Sequence, residues 1–464
     1  MTFDLLIVGA GPAGMAAAVT ARRSGLSVVV IDEQPGPGGQ IWRDIETVAA
    51  TDRGQMLGAA YREGRPAAKA FCASGATYEP GWQVWQIEPG FRAYMTKAGK
   101  ARIVEARTIL LATGAQERPV PFGGWTLPGV LTVGAGQILL KNAGQVPTEP
   151  VWLAGSGPLM LLYMTQLLKA GGKIAGYLDT SPPGRLSSAL RHFPGALRGV
   201  SDLCKGLIWT MALRTSGVRR IKHVADVEAL GSERVEAIRY RTASGIEETI
   251  QARILLVHEG VIPNVHAALA LGCAMTWRDD QDCFVPNLDP WGESSQPNIF
   301  IAGDGAGVAG AKAAALRGEI AALGIANKLG QLSPEAAVNA AKFARSKLNR
   351  QMAIRPFLDA LYRPRETIFV PSDETIVCRC EELTAGEIRA KACIGSPGPN
   401  QVKAFTRAGM GPCQGRQCGY TITRILAAAE GRPAGEVGFY RVRPPLKPVT
   451  IGELASLAEV IPSS

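Results

Sequence analysis

Four cysteines in this chain have the types and spacing to do chemistry. Cys378 and Cys380 form a C-x-C pair, and Cys413 and Cys418 a C-x4-C pair, with 32 residues between the two pairs. Four thiolates in two close pairs suit a [2Fe–2S] cluster, because thiolate sulfur is a soft donor that iron accepts. Structural zinc also takes four thiolates, but it favours pairs separated by roughly two to four residues, and a C-x-C pair strains the chelate at one small ion. Zinc and inert core thiols remain the alternatives. The chain has nine cysteines, an odd number, and its N-terminus reads as a strand rather than an export signal. That combination implies a reducing compartment and ligand thiols rather than disulfides. Cys72, Cys204, Cys273, Cys283 and Cys393 are then ordinary thiols, Cys393 included although it lies between the two pairs.

A second constellation is the turn Gly9-Ala10-Gly11-Pro12-Ala13-Gly14. Phe3–Val8 is predicted as a strand before it, Met15–Arg23 as a helix after it, and Leu26–Ile31 as the next strand. In such a β-α-β unit the first glycine permits a tight turn, the second lets a pyrophosphate approach the backbone, and the third lets helix and strand pack closely. The helix N-terminus offers free amides to the phosphates. Asp32 stands where an acidic residue accepts a ribose hydroxyl, with Glu33 as the adjacent alternative. Residues 151–160 (VWLAGSGPLM) echo this unit, with Asp179 placed after Gly155 much as Asp32 is placed after Gly9. Here Met160 occupies the third-glycine position beyond Gly155 and Gly157. A methionine there should push helix and strand apart or reshape the turn, which argues against nicotinamide binding.

The elements that must position these groups can also be read. Thr108–Gly114 is a buried strand ending in Ala112-Thr113-Gly114. Asn298–Asp304 is a later strand ending in Gly303-Asp304, followed by a small-residue helix from about Ala311. Gly38-Gly39-Gln40 follows the second strand. Near the cysteines, Thr384 and Glu387 form a capping box that opens one helix. Asn400 should cap the next helix and Gly409 end it, while Cys418 precedes a helical run over Tyr420–Ala429. That run turns a positive dipole end toward an anionic cluster. Arg379, Arg407 and Arg416 add nearby cations, with solvated surface arginines as the plain alternative.

Bulk properties bound the rest. At 464 residues the chain should hold two to four domains. Hydrophobic residues make up 46%, and the 54 glycines fit an α/β protein rich in tight turns. The net charge is +10, yet its basic residues look scattered, without the aromatic interleaving of a nucleic-acid binder. No stretch is long and apolar enough for a membrane helix. The histidines His192, His223, His258 and His266 form no ligand or catalytic pairing, so none is given a role. No cysteine pair follows Gly39-Gln40, which removes dithiol chemistry.

The cysteine segment, with residues 403–411 (KAFTRAGMG), resembles the bacterioferritin-associated-ferredoxin-like [2Fe–2S] domain. The fingerprint, Glu33–Gln40, A-T-G followed by Glu117-Arg118-Pro119-Val120-Pro121, the second G-S-G-P, G-D and the cysteine pairs cover nearly the whole chain. In this order they resemble the α (A) subunit of bacterial multi-subunit amino-acid dehydrogenases. That group includes opine oxidases, hydroxyproline and proline dehydrogenases and hydrogen cyanide synthase, and it is related to the sarcosine oxidase α subunit. The resemblance implies an α/β, two-dinucleotide-binding (glutathione-reductase-like) flavoprotein fold with a small α-rich C-terminal cluster domain. Expected boundaries are residues 1–145 and 285–340 for the FAD domain, 146–284 for the inserted domain, 341–370 for a linker, 371–430 for the cluster domain and 431–464 for a tail.

It further implies FAD on Gly9, Gly11, Pro12, Ala13, Gly14, Asp32, Glu33, Gly39, Gln40, Ala112, Thr113, Gly114, Gly303 and Asp304. NAD or ATP in that place stays open, and some members hold FMN at the interface between two subunits. Implied partners are a D-amino-acid-oxidase-like β subunit that oxidises the substrate, a small ferredoxin-like subunit, and a respiratory or dye-type acceptor. The implied location is cytoplasmic or peripheral to the inner membrane. Competing functions are a free-standing NAD(P)H-dependent FAD/[2Fe–2S] reductase and a non-catalytic iron-delivery module.

Overall fold

The computed structural model describes residues 2–88, 90–392 and 398–459. Cys393 lies outside these residues.

The first domain is built on the strand Thr2–Val8, which pairs in parallel with Val28–Asp32 on one side and Lys100–Leu111 on the other. Strand Thr77–Pro80 extends the sheet beyond Val28–Asp32, and Ile299–Ile301 pairs with the end of Lys100–Leu111. Gln83–Glu88 and Arg92–Lys97 form an antiparallel meander on the first half of that long strand. Near-continuous apolar runs such as Val28–Ile31 are what a parallel sheet covered on both faces requires. One cover is helix Pro12–Arg23, packed against helix Ala311–Lys328. Their approach is close at Gly318, where an added Cβ would stand 2.1 Å from the Ala13 carbonyl oxygen.

The second sheet has the order Arg219–Ile221, Ile174–Asp179, Val151–Gly155, Leu255–His258, Val130–Thr132, all parallel. A three-stranded antiparallel sheet, Val224–Leu230, Ala237–Thr242 and Glu247–Gln251, packs beside it through Trp152, Leu178, Val227 and Ile238. The boundaries differ from those expected. Val130–Thr132 already belongs to the second sheet, ahead of residue 146. Ala268 and Cys273 pack with Leu6, Val29 and Ile109 of the first domain. The expected linker is largely helical, over Pro334–Met352 and Arg355–Leu361.

The C-terminal domain gathers Val377, Ile388, Val402, Ile422, Ile425 and Leu426 around Cys378 and Cys418. Val437 and Tyr440 share this core, so the domain extends past residue 430. Thr384 and Glu387 do form the expected reciprocal cap, with amide-to-side-chain bonds of 2.8 and 3.3 Å. Asn400 caps no helix. Helix Pro399–Thr406 starts after Gly398, and the Asn400 side chain instead accepts the Arg441 amide at 2.9 Å. That helix ends before Gly409, with Arg407 in the left-handed conformation. The tail folds back over the meander: the Leu446 amide bonds to the Trp85 carbonyl at 2.7 Å, and Ser456 accepts the Ala101 amide at 2.8 Å.

Candidate nucleotide site and cysteine centre

The first unit is closed tightly at its first and third glycines and open at the middle one. Gly9 has φ +108°, and a Cβ there would lie 2.5 Å from the Ala112 carbonyl oxygen. A Cβ at Gly14 would overlap the Gly9 carbonyl oxygen at 1.8 Å. These two glycines are required by the fold itself. Gly11 is different, for a Cβ there would meet only the Gly39 Cα, at 3.9 Å. Nothing in the packing demands glycine at position 11, which leaves close approach by a ligand as its physical use.

Around that opening the expected residues converge. Strand ends bring Ala112-Thr113-Gly114 and Gly303-Asp304 beside the Gly9 turn. Gly305 would place a Cβ 3.5 Å from the Gly114 carbonyl oxygen. Pro12 and Ala13 open the helix, and the Gly38 amide bonds to the Ala10 carbonyl at 2.8 Å, drawing the Gly39-Gln40 loop over the turn. Asp32 accepts the Ala10 and Gln34 amides. Burial pushes its carboxyl above the usual range, against the pull of those two amides. Glu33 is engaged elsewhere, paired with Lys447 of the tail. Asp304 uses Oδ1 to accept the Ala309 and Gly310 amides at 2.9 and 3.0 Å, which shapes the loop entering helix Ala311–Lys328. The donors and the glycine cradle fit a dinucleotide. A cavity of about 630 Å³ opens beside this helix start, walled by Trp42, Ala315 and Leu316 and by Arg198, Lys312 and Arg350.

Lys141 was missed by sequence reading. It is buried on helix Val133–Ala143 and donates to the Gln40 and Ile41 carbonyls, both at 3.0 Å, and to the Gln137 side chain at 2.9 Å. Burial, with Arg43 nearby, pushes its ammonium down to about 7. It anchors the loop that closes over the first turn.

In the second unit the turn is reshaped, as Met160 demands. Gly11 caps its helix at φ −74°, whereas Gly157 caps at φ +128°. Met160 is buried in the core with Tyr163, Met164 and Leu167, and the strand pairings on both sides stay intact. A Cβ at Gly157 would lie 3.3 Å from the His258 ring, so imidazole stands over this turn. His258 is held there by Glu117 at 2.8 Å, and Glu117 also accepts the Gly134 amide at 2.9 Å. Asp179, the counterpart of Asp32, is paired with Arg220 and accepts the Ser181 amide at 3.0 Å. His258, to which no sequence pattern assigns a role, therefore closes the second crevice. Its partner is 141 residues away, a pairing no local pattern announces.

The four cysteines meet as two contact pairs, Cys378 with Cys418 and Cys380 with Cys413. Each pair joins one cysteine of the C-x-C turn to one of the C-x4-C turn. The Cys378 thiol is pulled down to about 6, first by its contact with Cys418 and then, against burial, by the Gly409, Glu381 and Cys380 amides. The same contact, with burial, raises Cys418. Among the described residues, no group of three or more His, Cys, Asp or Glu stands ready-made around a metal position. Gly411 lets the turns approach, since a Cβ there would stand 2.2 Å from the Cys380 Cβ. Cys418 caps helix Gly419–Glu430, as expected. Of the three arginines, Arg407 pairs with Glu381 at 3.0 Å and Arg416 donates to the Cys413 carbonyl at 3.2 Å.

The cysteine domain is tied to the nucleotide domains through Tyr420, two residues beyond Cys418. Its hydroxyl accepts from Arg118 and donates to Asp282 at 2.6 Å, and the Arg118 guanidinium lies 5.0 Å from the ring centroid. Arg118 is fully enclosed and also donates to the Glu259, Asp282 and Gln281 carbonyls at 3.0, 2.7 and 2.8 Å. Arg424 reaches Asp282 at 3.3 Å. Nearby, Gln116 donates to the Arg416 carbonyl at 3.0 Å. Breaking one partner of such a buried charged network costs about 3–5 kcal/mol, so the cysteine domain is tied to Gln116 and Arg118, just beyond the A-T-G end of the first sheet.

Comparison with known proteins agrees with this architecture. Residues 3–344 match the pyridine nucleotide-disulphide oxidoreductase family, and residues 373–457 match the sarcosine oxidase A3 domain. The A subunit of opine oxidase from Agrobacterium tumefaciens (strain Ach5) is 44% identical, covering 98% of this chain and 92% of that one. The HcnB subunit of hydrogen cyanide synthase from Pseudomonas aeruginosa is 32% identical over 98% of this chain and 99% of its own length. The crystal structure of L-proline dehydrogenase from P. horikoshii superposes with a TM-score of 0.70 at 19% identity, covering 98% of this chain and 79% of that one, a likeness of fold. The chain belongs to the pyridine nucleotide-disulphide oxidoreductase family and, within it, to the group that includes the A subunits of the opine oxidases.

Proposed function

We propose that this chain is the electron-transferring subunit of a hetero-oligomeric dehydrogenase acting on the CH–NH bond of an opine or a proline-type amino acid. Its first unit would bind FAD, and Cys378, Cys380, Cys413 and Cys418 would carry a [2Fe–2S] cluster. The observation that carries this reading is the placement of the cysteine centre. A one-electron group would be clamped by Arg118, Asp282 and Tyr420 against the same domain whose A-T-G and G-D strand ends form the nucleotide site. The C-x-C spacing of Cys378 and Cys380 suits a two-iron cluster better than one zinc ion, whose chelate it would strain.

A flavin bound there would take electrons as a pair and pass them on singly. The residues of this chain do the positioning. Gly11 admits the pyrophosphate, and the free amides at the start of helix Pro12–Arg23 meet its charge. Asp32 stands at the ribose end and Asp304 shapes the flavin end. Lys141 fixes the loop that covers the turn. Substrate oxidation would lie on a D-amino-acid-oxidase-like partner, with a small ferredoxin-like chain completing the assembly. The NAD(P)H-dependent reductase reading has less support, because His258 stands over the second turn.

The test is dye reduction by octopine, nopaline, hydroxyproline and proline, with the chain expressed alone and together with its oxidase-like neighbour. Turnover should require both chains. Substantial turnover by the lone chain would overturn the assignment.

A further inference from the structure

The second nucleotide domain carries a helical insert between its strands Ile174–Asp179 and Arg219–Ile221 whose outer face has no cover. Helix Val200–Thr215 buries Leu213 alone among its sixteen residues. Val200, Cys204, Leu207, Ile208 and Met211 fall at the i, i+4, i+7, i+8, i+11 spacing of a single helical face, and all five are exposed, Ile208 at 62%. The preceding turns prolong the stripe with Leu186, Leu190, Phe193 and Leu197, again exposed. An apolar helical face normally turns inward; this one turns outward from Cys204 on, while Val200 and Arg198 at its start border the cavity beside helix Ala311–Lys328.

The charges around the stripe narrow what can cover it. At about 100° per residue, Arg214 falls on one border of the face and Lys205 on the other. The insert, residues 185–215, holds five lysines and arginines against one acid, Asp202, a net +4 of the chain's +10. Lys205 reaches Asp202 at 3.4 Å, Arg219 reaches Glu248 at 3.3 Å and Arg220 pairs with Asp179. Arg191, Arg198 and Arg214 are left without a carboxylate partner among the described residues. A protein covering this face would have to bring a matching acidic rim. A stripe bordered on both sides by cations is the pattern of a helix lying in the plane of an anionic bilayer, with its long cationic stems reaching up to the phosphates.

We propose that the insert Arg185–Thr215 is a docking face for an anionic lipid surface. The attachment is in-plane, since no helix among the described residues is long and apolar enough to cross a membrane. The proposal does not depend on the electron-transfer reading or on what fills the nucleotide site.

The experiment is flotation of the full chain, with any chains that co-purify, on phosphatidylcholine vesicles with and without phosphatidylglycerol. Each unpaired cation near the surface adds about 1 kcal/mol, so the phosphatidylglycerol vesicles should bind about tenfold more protein or better, and high salt should reduce the difference. Ile208→Glu should abolish flotation, while Val338→Glu, at another exposed apolar site, should leave it unchanged. Melting temperature controls for folding, and because Ile208 is exposed it should stay near the wild-type value. Equal binding to neutral vesicles, no binding, or flotation insensitive to Ile208→Glu would overturn the proposal. So would an Ile208→Glu variant that loses a co-purifying protein chain when the wild type does not float, because another protein would then cover this face.

Discussion

The two β-α-β units of this chain share a plan and differ at one spot. In the first, the middle glycine looks into open space bounded by Gly39, and its acid, Asp32, receives backbone amides of the turn. In the second, the middle glycine faces the His258 imidazole, and its acid, Asp179, is engaged by Arg220. The strands, their parallel pairing and the helix that follows are alike in both. Fold is therefore retained by the packing glycines and apolar strands, whereas capacity for a nucleotide depends on what stands over a single Cα. Met160 explains how the second unit drifted. With a Cβ forbidden at 1.8 Å in the geometry of the first unit, the second had to adopt a different turn, and His258 fills the space.

The largest contrast should come from valine at the two middle glycines. Gly11→Val should fold, since its Cβ has room at 3.9 Å, yet purify without cofactor. Gly157→Val should keep its cofactor and lose about 1–2 kcal/mol of stability, because φ +128° is costly for a β-branched residue. Absorbance of the bound flavin against protein, with urea midpoints, separates the two. A flavin-replete Gly11→Val would break the comparison.

Truncating the core methionine comes next. Met160→Ala should cost about 2–5 kcal/mol by urea unfolding, as for other buried large-to-small changes, without changing cofactor content. Loss of cofactor in this variant would mean that the second unit takes part in binding. His258→Ala should cost about 1–3 kcal/mol, the penalty of leaving the Glu117 carboxylate without its partner. Wild-type protein titrated with NADH should show neither flavin bleaching nor a shift in melting. Saturable protection by NADH would show the crevice to be usable.

The smallest effect is a pH slope at Lys141. Its folded pKa is about 7 and its ordinary value 10.5, so between these the unfolded chain binds more protons. Stability should therefore rise with pH across that window, by less than about 1.4 kcal/mol per pH unit, the limit for one proton. Lys141→Met should flatten the slope. Urea midpoints at about pH 7 and about pH 9 check it; the same slope in wild type and Lys141→Met would show that the carbonyls of Gln40 and Ile41 hold the ammonium charged.

How much of this was legible in sequence follows the range of each interaction. The Gly9–Gly14 turn, its flanking elements, the Thr384–Glu387 cap and the Cys418-capped helix are local patterns, and the fold places them within a few residues of expectation. Asn400 misled because an N-cap residue type also serves as a long-range acceptor, here for the Arg441 amide. The Glu117–His258 pair, the Arg118–Asp282–Tyr420 clamp and the Lys141 anchor join residues roughly 100–300 apart, and no spacing rule reaches them. The two cysteine turns, 32 residues apart, meet through Cys378–Cys418 and Cys380–Cys413, contacts that the spacing alone does not specify. The cationic residues are spread along the chain, as they looked, but the insert 185–215 holds five of them against one acid.

The most direct test of the central contrast is to denature the isolated full chain, remove the protein, and identify and quantify the released nucleotide. One FAD per chain with no nicotinamide nucleotide, lost in Gly11→Val and kept in Gly157→Val, is the expected result. Release of NAD or ATP in place of FAD, or a second nucleotide lost on Gly157→Val, would contradict the account.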